Sequence, residues 1–180
     1  MSNYPSIFND VIGPVMRGPS SSHCAASLRI ARICRDLMDE QIKDIVIEFD
    51  PNGSLATTHK SQGSDMGLFG GFLGWEAFDE RLPDSEKHLA TAGINYTITI
   101  CPLEEKHPNT YKIRLSNEKE TKELIAISTG GGMIEVINID GNKVSMAGDY
   151  YETLIYCTDA DNIIKYLKST ITYDEIIFHK

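Results

Sequence analysis

Apolar positions along the chain follow a helical period near the N-terminus. Four of them recur at steps of four, three and four residues, which predicts a helix that begins at Ser22: Ala26, Ile30, Ile33 and Leu37. Lys43–Phe49 then carries three consecutive β-branched residues and runs into the turn sequence Asp50-Pro51-Asn52-Gly53. This pattern predicts a strand that ends at the turn.

Short strand-like segments dominate the second half of the chain. Five of them are predicted in succession: Asn95–Ile100, Thr110–Ser116, Lys122–Ser128, Met133–Ile139 and Lys143–Ala147. Closely spaced strands of this kind favour an α+β fold with a largely antiparallel sheet and flanking helices. The tail predicts a strand, a helix and a strand in turn: Glu152–Cys157, Asp161–Lys168 and Asp174–His179. Such a βαβ piece cannot bury both of its faces alone, so we expect it to lean on the main domain or on a partner.

Glycine recurs at helical spacing in a predicted helix from Ser64 to about Trp75. Four glycines follow the i, i+3, i+4, i+7 pattern and therefore share one face: Gly67, Gly70, Gly71 and Gly74. Each costs a helix roughly 1 kcal/mol relative to alanine, so the face needs a physical reason. We expect the close approach of another backbone, either within the domain or from a partner. The polar stretch before this helix, Ser54–Gly63, and the stretch with Pro83 and Asp84 after it are predicted as loops.

Charge and composition narrow the classes of partner. Lys and Arg number 17 against 26 Asp and Glu, for a net charge of −9. This balance argues against a surface for nucleic acid or for an anionic membrane. No stretch approaches the ~20 apolar residues that span a bilayer, and no secretory signal is visible, so we expect a cytoplasmic protein. The four cysteines follow no metal-site or redox spacing.

The segment Gly18-Pro19-Ser20-Ser21-Ser22-His23 opens the first predicted helix. Three hydroxyls and free backbone N–H groups at a helix N-terminus suit a carboxylate or a phosphate. Ordinary capping by one serine is the alternative interpretation. His23 favours a functional role, because an imidazole donates to an anion or exchanges a proton near neutral pH.

Two further segments are candidate binding elements. Gly53–Asp65 runs into the glycine-rich helix, which Ser64 and Asp65 are placed to cap, and four of its side chains are placed to face a ligand: Thr58, His59, Lys60 and Gln62. A solvent-exposed connection is the alternative. Ser128–Gly132 contains three glycines, which let a ligand or a second backbone come close, although a bulged hairpin has the same sequence.

Together these segments resemble the β chain, or β domain, of bacterial iron–sulfur-dependent L-serine dehydratases. Gly18–His23 is similar to the most specific signature of that family, and the preceding stretch Ser6–Met16 is similar to it as well. Gly53-Ser54-Leu55-Ala56 with the loop after it looks like the second signature, and Ser128–Gly132 looks like the third. The resemblance covers about residues 6–147, in the right order.

The resemblance implies both a fold and a partner. It implies an allosteric-substrate-binding type domain over residues 1–148, followed by a tail over 149–180 that looks like half of an ACT module. It also implies a heterodimer with an α chain whose cysteines hold a 4Fe–4S cluster, and hence no metal ligand on this chain. In the family, serine loses its Cα proton and its hydroxyl, and the aminoacrylate formed becomes pyruvate and ammonia, with the cluster acting as a Lewis acid.

The same resemblance implies site residues in all three segments. We expect these to bind a small amino-acid substrate: Ser20, Ser21, Ser22, His23, Lys60, Thr129, Gly130 and Gly131. Gln62, Ser64 and Asp65 are expected to face the active site or support it. The family commonly has histidine where this chain has Gln62, and glutamine cannot exchange a proton near neutral pH. His59 offers an imidazole three residues earlier.

Three alternatives remain open at the level of sequence. The complex could act on another small hydroxy or amino acid, since Gln62 departs from the family pattern. The chain could be a non-catalytic amino-acid sensor that uses the serine-rich segment and the tail. It could also be a pure assembly subunit, with the glycine face of the second helix as its interface.

Overall fold

The computed structural model describes residues 15–38, 41–148 and 152–179. The chain divides into two compact units between residues 149 and 150. Most of the stretch Ser6–Met16, which carries part of the family resemblance, lies outside the described residues.

The first unit is built on a six-stranded open sheet. Its strands are β1 (Asp44–Phe49), β2 (Asn95–Ile100), β3 (Thr110–Ser116), β4 (Thr121–Gly130), β5 (Met133–Ile139) and β6 (Asn142–Met146). They lie in the order β2-β1-β3-β4-β5-β6, and only the pair β1–β2 is parallel. The predicted α+β class and the largely antiparallel sheet are confirmed.

Helices lie before β1 and between β1 and β2. A π-helical turn, Ser21–Ala25, continues into α1 (Ala26–Asp36). Three helices and a 3₁₀ turn lie between β1 and β2: α2 (Leu55–Thr58), α3 (Ser64–Phe72), the turn Leu82–Asp84 and α4 (Ser85–Thr91). The loops predicted over 54–63 and around Pro83 were therefore partly wrong. Helix α2 and the 3₁₀ turn are both too short for a repeating pattern of apolar residues to be visible in the sequence.

The core lies on one face of the sheet, between the central strands and helices α1 and α3. Alternate strand residues supply it, including Ile47, Tyr111, Ile113 and Ala126, each with 0% of its surface exposed. This alternation follows from the two-residue period of a strand. Burial of each large apolar side chain contributes roughly 1.5–3 kcal/mol to folding.

The glycine face of α3 is packed inside the unit. A Cβ at Gly67 would overlap the carbonyl oxygen of Cys24 and the hydroxyl of Ser27, and one at Gly71 would press on Leu28 and Ala31 of α1. The expected close approach of a second backbone is confirmed, and that backbone belongs to the same domain. The hypothesis that this face is a subunit interface is therefore wrong.

The second unit contains one helix, α5 (Ala160–Thr170), and Asp159 caps it by accepting from the backbone N–H of Asn162 at 3.2 Å. The flanking strands predicted over 152–157 and 174–179 are wrong: no strand is present within 152–179. Their β-branched residues fit a strand, but a strand needs a hydrogen-bonded neighbour, which the described part of this unit does not provide. The half-ACT βαβ arrangement is not confirmed.

Candidate functional site

The serines of the first segment do not cap the helix. Ser20 has extended backbone angles, φ −130° and ψ 124°, and its carbonyl oxygen accepts from the backbone N–H groups of His23 (3.2 Å) and Cys24 (2.7 Å). No serine side chain makes a capping hydrogen bond at this turn. The alternative interpretation of ordinary capping is therefore wrong.

The serine hydroxyls surround the ring of His23 instead. Nδ1 of His23 lies 3.1 Å from the hydroxyl of Ser20 and 3.3 Å from that of Ser22. On the other side of the ring, Nε2 lies 3.3 Å from Oγ1 of Thr58. We call Ser20, Ser22, His23 and Thr58 the hydroxyl cluster. It joins the first and the second sequence segments.

The hydrogen bonds of Thr58 assign the tautomer of His23. The Thr58 hydroxyl donates its one proton to the carbonyl oxygen of Ser54 at 2.5 Å, so it accepts from Nε2–H of His23. Nδ1 is then the acceptor for a serine hydroxyl. Burial lowers the pKa of His23, of which 7% is exposed, and this favours the neutral imidazole that the network requires.

A tight contact at Gly63 holds the two segments together. Gly63 has φ +84°, and a Cβ there would lie 2.8 Å from Cδ of Pro19 and 3.2 Å from Cβ of Cys24. Any side chain would therefore meet both backbone strain and the proline of the first segment. The helix α3 begins immediately after this glycine.

A second histidine, His59, follows Thr58 of the hydroxyl cluster in the sequence. Nδ1 of His59 is 2.6 Å from Oδ1 of Asp65, and the backbone N–H of Asp65 donates to the carbonyl oxygen of His59 at 3.3 Å. The imidazole packs at 5.4 Å, between ring centroids, on Phe49 at the end of β1. The two side chains are mostly covered, with 23% of His59 and 16% of Asp65 exposed.

The other predicted residues of the second segment have different environments. Ser64 is buried and its hydroxyl lies 3.2 Å from that of Tyr111, while its carbonyl oxygen accepts from Ser27 at 2.9 Å. Lys60 is exposed and Gln62 is half-buried. The predicted capping of α3 by Ser64 or Asp65 is wrong, since neither side chain makes that bond.

The third segment forms the turn between β4 and β5. Gly130, Gly131 and Gly132 have φ values of +103°, +60° and +77°, and the register shifts between Ser128 and Gly130, so the bulged-hairpin interpretation is confirmed. Nη1 of Arg29 donates to the carbonyl oxygen of Gly132 at 3.0 Å. Thr129 and Gly131 are exposed. The buried hydroxyl of Ser128 has no hydrogen-bond partner among the described residues.

Asn109 links this third segment to the second. Its carbonyl oxygen accepts from the backbone N–H of Ser128 at 3.0 Å, and its side-chain oxygen accepts from the hydroxyl of Ser54. Ser54 in turn holds Thr58 of the hydroxyl cluster. The roles of Asn109, Ser54 and Arg29 were not predicted from the sequence. No local pattern marks them, because each role depends on strand pairing or helix packing.

The described part of the chain contains neither a group of metal-ligating side chains nor a membrane-spanning helix. Among the described residues, no three His, Cys, Asp or Glu side chains come together as a metal site. Cys24 and Cys34 are buried, and burial raises the pKa of the Cys24 thiol to about 11. None of the helices in the described ranges is long and apolar enough to cross a membrane.

Comparison with known proteins identifies the family. No family model matches the chain. It is 39% identical over 156 residues to the "Probable L-serine dehydratase, beta chain" of Bacillus subtilis (strain 168), a match that covers 87% of this chain and 70% of that protein. It is 35% identical over 177 residues to the "L-serine dehydratase, beta chain" of Peptoniphilus asaccharolyticus, which covers 97% of this chain and 78% of that protein. The chain belongs to the L-serine dehydratase beta-chain family.

In this family member, two kinds of chemistry lie next to each other. The hydroxyl cluster provides uncharged donors around a neutral imidazole, and the His59–Asp65 pair provides an imidazole held by a carboxylate. Thr58 and His59 are consecutive, so their Cα atoms are about 3.8 Å apart. The hydroxyl groups and the imidazole held by a carboxylate are therefore neighbours along the chain.

Proposed function

We propose that this chain is the β subunit of a heteromeric L-serine dehydratase, which converts L-serine to pyruvate and ammonia together with an α chain. The names of two relatives, both beta chains of L-serine dehydratases, support the reaction and the need for a partner. The hydroxyl cluster supports a site on this chain for the carboxylate of a small substrate.

The observation that carries the proposal is the arrangement of Ser20 and Ser22 around Nδ1 of His23. Nδ1 is an acceptor and takes one hydroxyl proton, which leaves the other hydroxyl able to donate elsewhere. A carboxylate is an acceptor only, and a hydrogen bond to a charged group contributes roughly 1.5–3 kcal/mol. We propose that these hydroxyls bind the substrate carboxylate and that Ser21 and Lys60 lie at the edge of the site.

We place the 4Fe–4S cluster on the α chain. The described residues of this chain contain no donor set that fits it, because no three ligating side chains come together. On the partner, the cluster would supply a Lewis acid for the substrate hydroxyl. The part of this chain is to bind and orient serine and to exchange its proton.

Co-purification with the α chain tests the proposal. We expect ammonia and pyruvate from L-serine only when both chains are present, with iron bound to the complex. Ser22→Ala should raise KM for serine roughly 10- to 100-fold, because it removes a donor to a charged group. The matched control is Ser145→Ala, an exposed serine on β6, which should leave KM unchanged.

Other outcomes would contradict the proposal. Full activity of the α chain alone would show that this chain is not part of the catalytic site. Serine binding by the isolated chain in calorimetry, without turnover by the complex, would favour an amino-acid sensor. Turnover of L-threonine but not of L-serine would keep the reaction class and change the substrate.

A further inference from the structure

The His59–Asp65 pair has a geometry that the anchoring of a carboxylate does not require. A carboxylate accepts hydrogen bonds and donates none, so the 2.6 Å contact assigns a proton to Nδ1 of His59. Nε2 then carries the free lone pair of the ring. Among the described residues, the structure shows no hydrogen bond to that Nε2, and 23% of the side chain is exposed.

The pair is also held rigidly. Phe49, which is fully buried, packs against the imidazole, and the backbone bond from Asp65 to His59 closes the loop between α2 and α3. A carboxylate on Nδ1 fixes the tautomer and the ring orientation, and it stabilises the imidazolium that forms when Nε2 accepts a proton. These are the properties of a general base.

We propose that Nε2 of His59 removes the Cα proton of the substrate and that Asp65 is its positioning residue. The inference rests on the proposed function. The C–H electron pair becomes the second bond between Cα and Cβ, the proton moves to Nε2, and hydroxide leaves Cβ. Aminoacrylate forms without any oxidant or reductant.

The other groups near the site are less suited to this step. Both ring nitrogens of His23 contact hydroxyls; burial lowers its pKa and favours its neutral form, and the contact with Thr58 keeps the proton on Nε2. Gln62 has an amide, which is not a base. His88 lies elsewhere, at 5.1 Å from Trp75 between ring centroids.

The test uses the complex of this chain with its α chain and α-deuterated L-serine. In His59→Gln we expect kcat to fall roughly 100- to 10,000-fold, the usual contribution of a general base, with KM little changed. The deuterium isotope effect on kcat should rise, because proton removal becomes rate-limiting. Exogenous imidazole should restore turnover to His59→Ala. Asp65→Asn, of nearly equal shape, should lower kcat and raise the isotope effect without rescue by imidazole.

Controls separate this inference from the proposed function and from misfolding. His88→Gln, at an exposed histidine outside the site, should leave kcat unchanged. Thermal unfolding and recovery of the complex show whether each variant folds. If the wild-type complex dehydrates serine and His59→Gln keeps both its kcat and its isotope effect, the inference is overturned while the function stands. If the wild-type complex is inactive on serine, the function fails and the inference fails with it.

Discussion

The two histidines near α2 have opposite environments, although Thr58, the chain neighbour of His59, contacts His23. His23 has uncharged hydroxyls on both ring nitrogens and is almost fully buried. His59 has a carboxylate on one ring nitrogen, an aromatic ring beneath it and a quarter of its side chain exposed. Hydroxyls are neutral partners that either donate or accept, whereas a carboxylate only accepts and carries charge.

This difference suits the two rings to the different roles that we propose for them. A neutral ring that accepts at Nδ1 orients hydroxyl groups, and burial opposes its protonation. A ring held by a carboxylate is stabilised when it becomes positive, so it suits a passing proton. The comparison therefore supports our proposals of substrate binding on the His23 side and of proton transfer on the His59 side.

The largest effect on the binding side is expected at His23 itself. His23→Gln places its amide towards Thr58 and leaves Ser20 and Ser22 without the Nδ1 acceptor. We expect KM of the complex for serine to rise roughly 10- to 100-fold, because misoriented hydroxyls lose a hydrogen bond to a charged group. Steady-state ammonia release measures this.

His23→Asn is the matched control, because an asparagine amide lies near the position of Nδ1 and keeps a partner for the two serines. Its KM should rise less than that of His23→Gln. If His23→Gln lowered kcat and left KM unchanged, His23 would take part in proton transfer, and the division of roles between the two histidines would be wrong.

A smaller effect is expected at Thr58, whose hydroxyl contacts Nε2 of His23. Thr58→Val keeps the shape of the side chain but leaves Nε2–H of His23 without its acceptor. An unsatisfied buried donor costs about 1–3 kcal/mol, so the free energy of unfolding should fall by that amount in urea titrations. Thr58→Ser restores the hydroxyl and should recover most of the loss. Equal stability of Thr58→Val and the wild type would contradict the assigned tautomer.

The fold was predictable where a period or a turn signal extends over enough residues. Five of the six strands of the first unit were located to within one residue at each end, and the apolar residues of β3 alternate in the sequence as its buried positions do in the structure. The short helices α2 and α4 gave too few residues for a period. The strands predicted on either side of α5 were wrong for another reason. A sequence with strand propensity forms a strand only where a second strand is available to pair with it.

The sequence predicted which segments contribute to the candidate site, but it did not predict the side-chain contacts between those segments. Ser20, Ser22 and His23 come together within one turn, so a local pattern sufficed. Thr58 reaches His23 across 35 residues, and the packing of Gly63 on Pro19 and of α3 on α1 brings the two segments together. The pairing of His59 with Asp65 depends on the course of the chain between α2 and α3, which no residue pattern specified.

The smallest expected effect concerns the pH dependence of stability. It tests whether burial keeps His23 neutral, which is one half of the difference between the two histidines. Burial lowers the pKa of His23 in the folded chain below the unfolded value of 6.5. Below pH 6.5 the unfolded state then binds the proton more readily, so this histidine contributes stability that is present above that pH and is lost as the pH falls through the folded pKa. The midpoint of urea unfolding should therefore decrease from pH 7 towards pH 5, and the decrease should be smaller in His23→Asn, which has no imidazole to protonate. An identical pH dependence in both proteins would show that His23 is not held neutral by burial, and the distinction between the two rings would then rest on Asp65 alone.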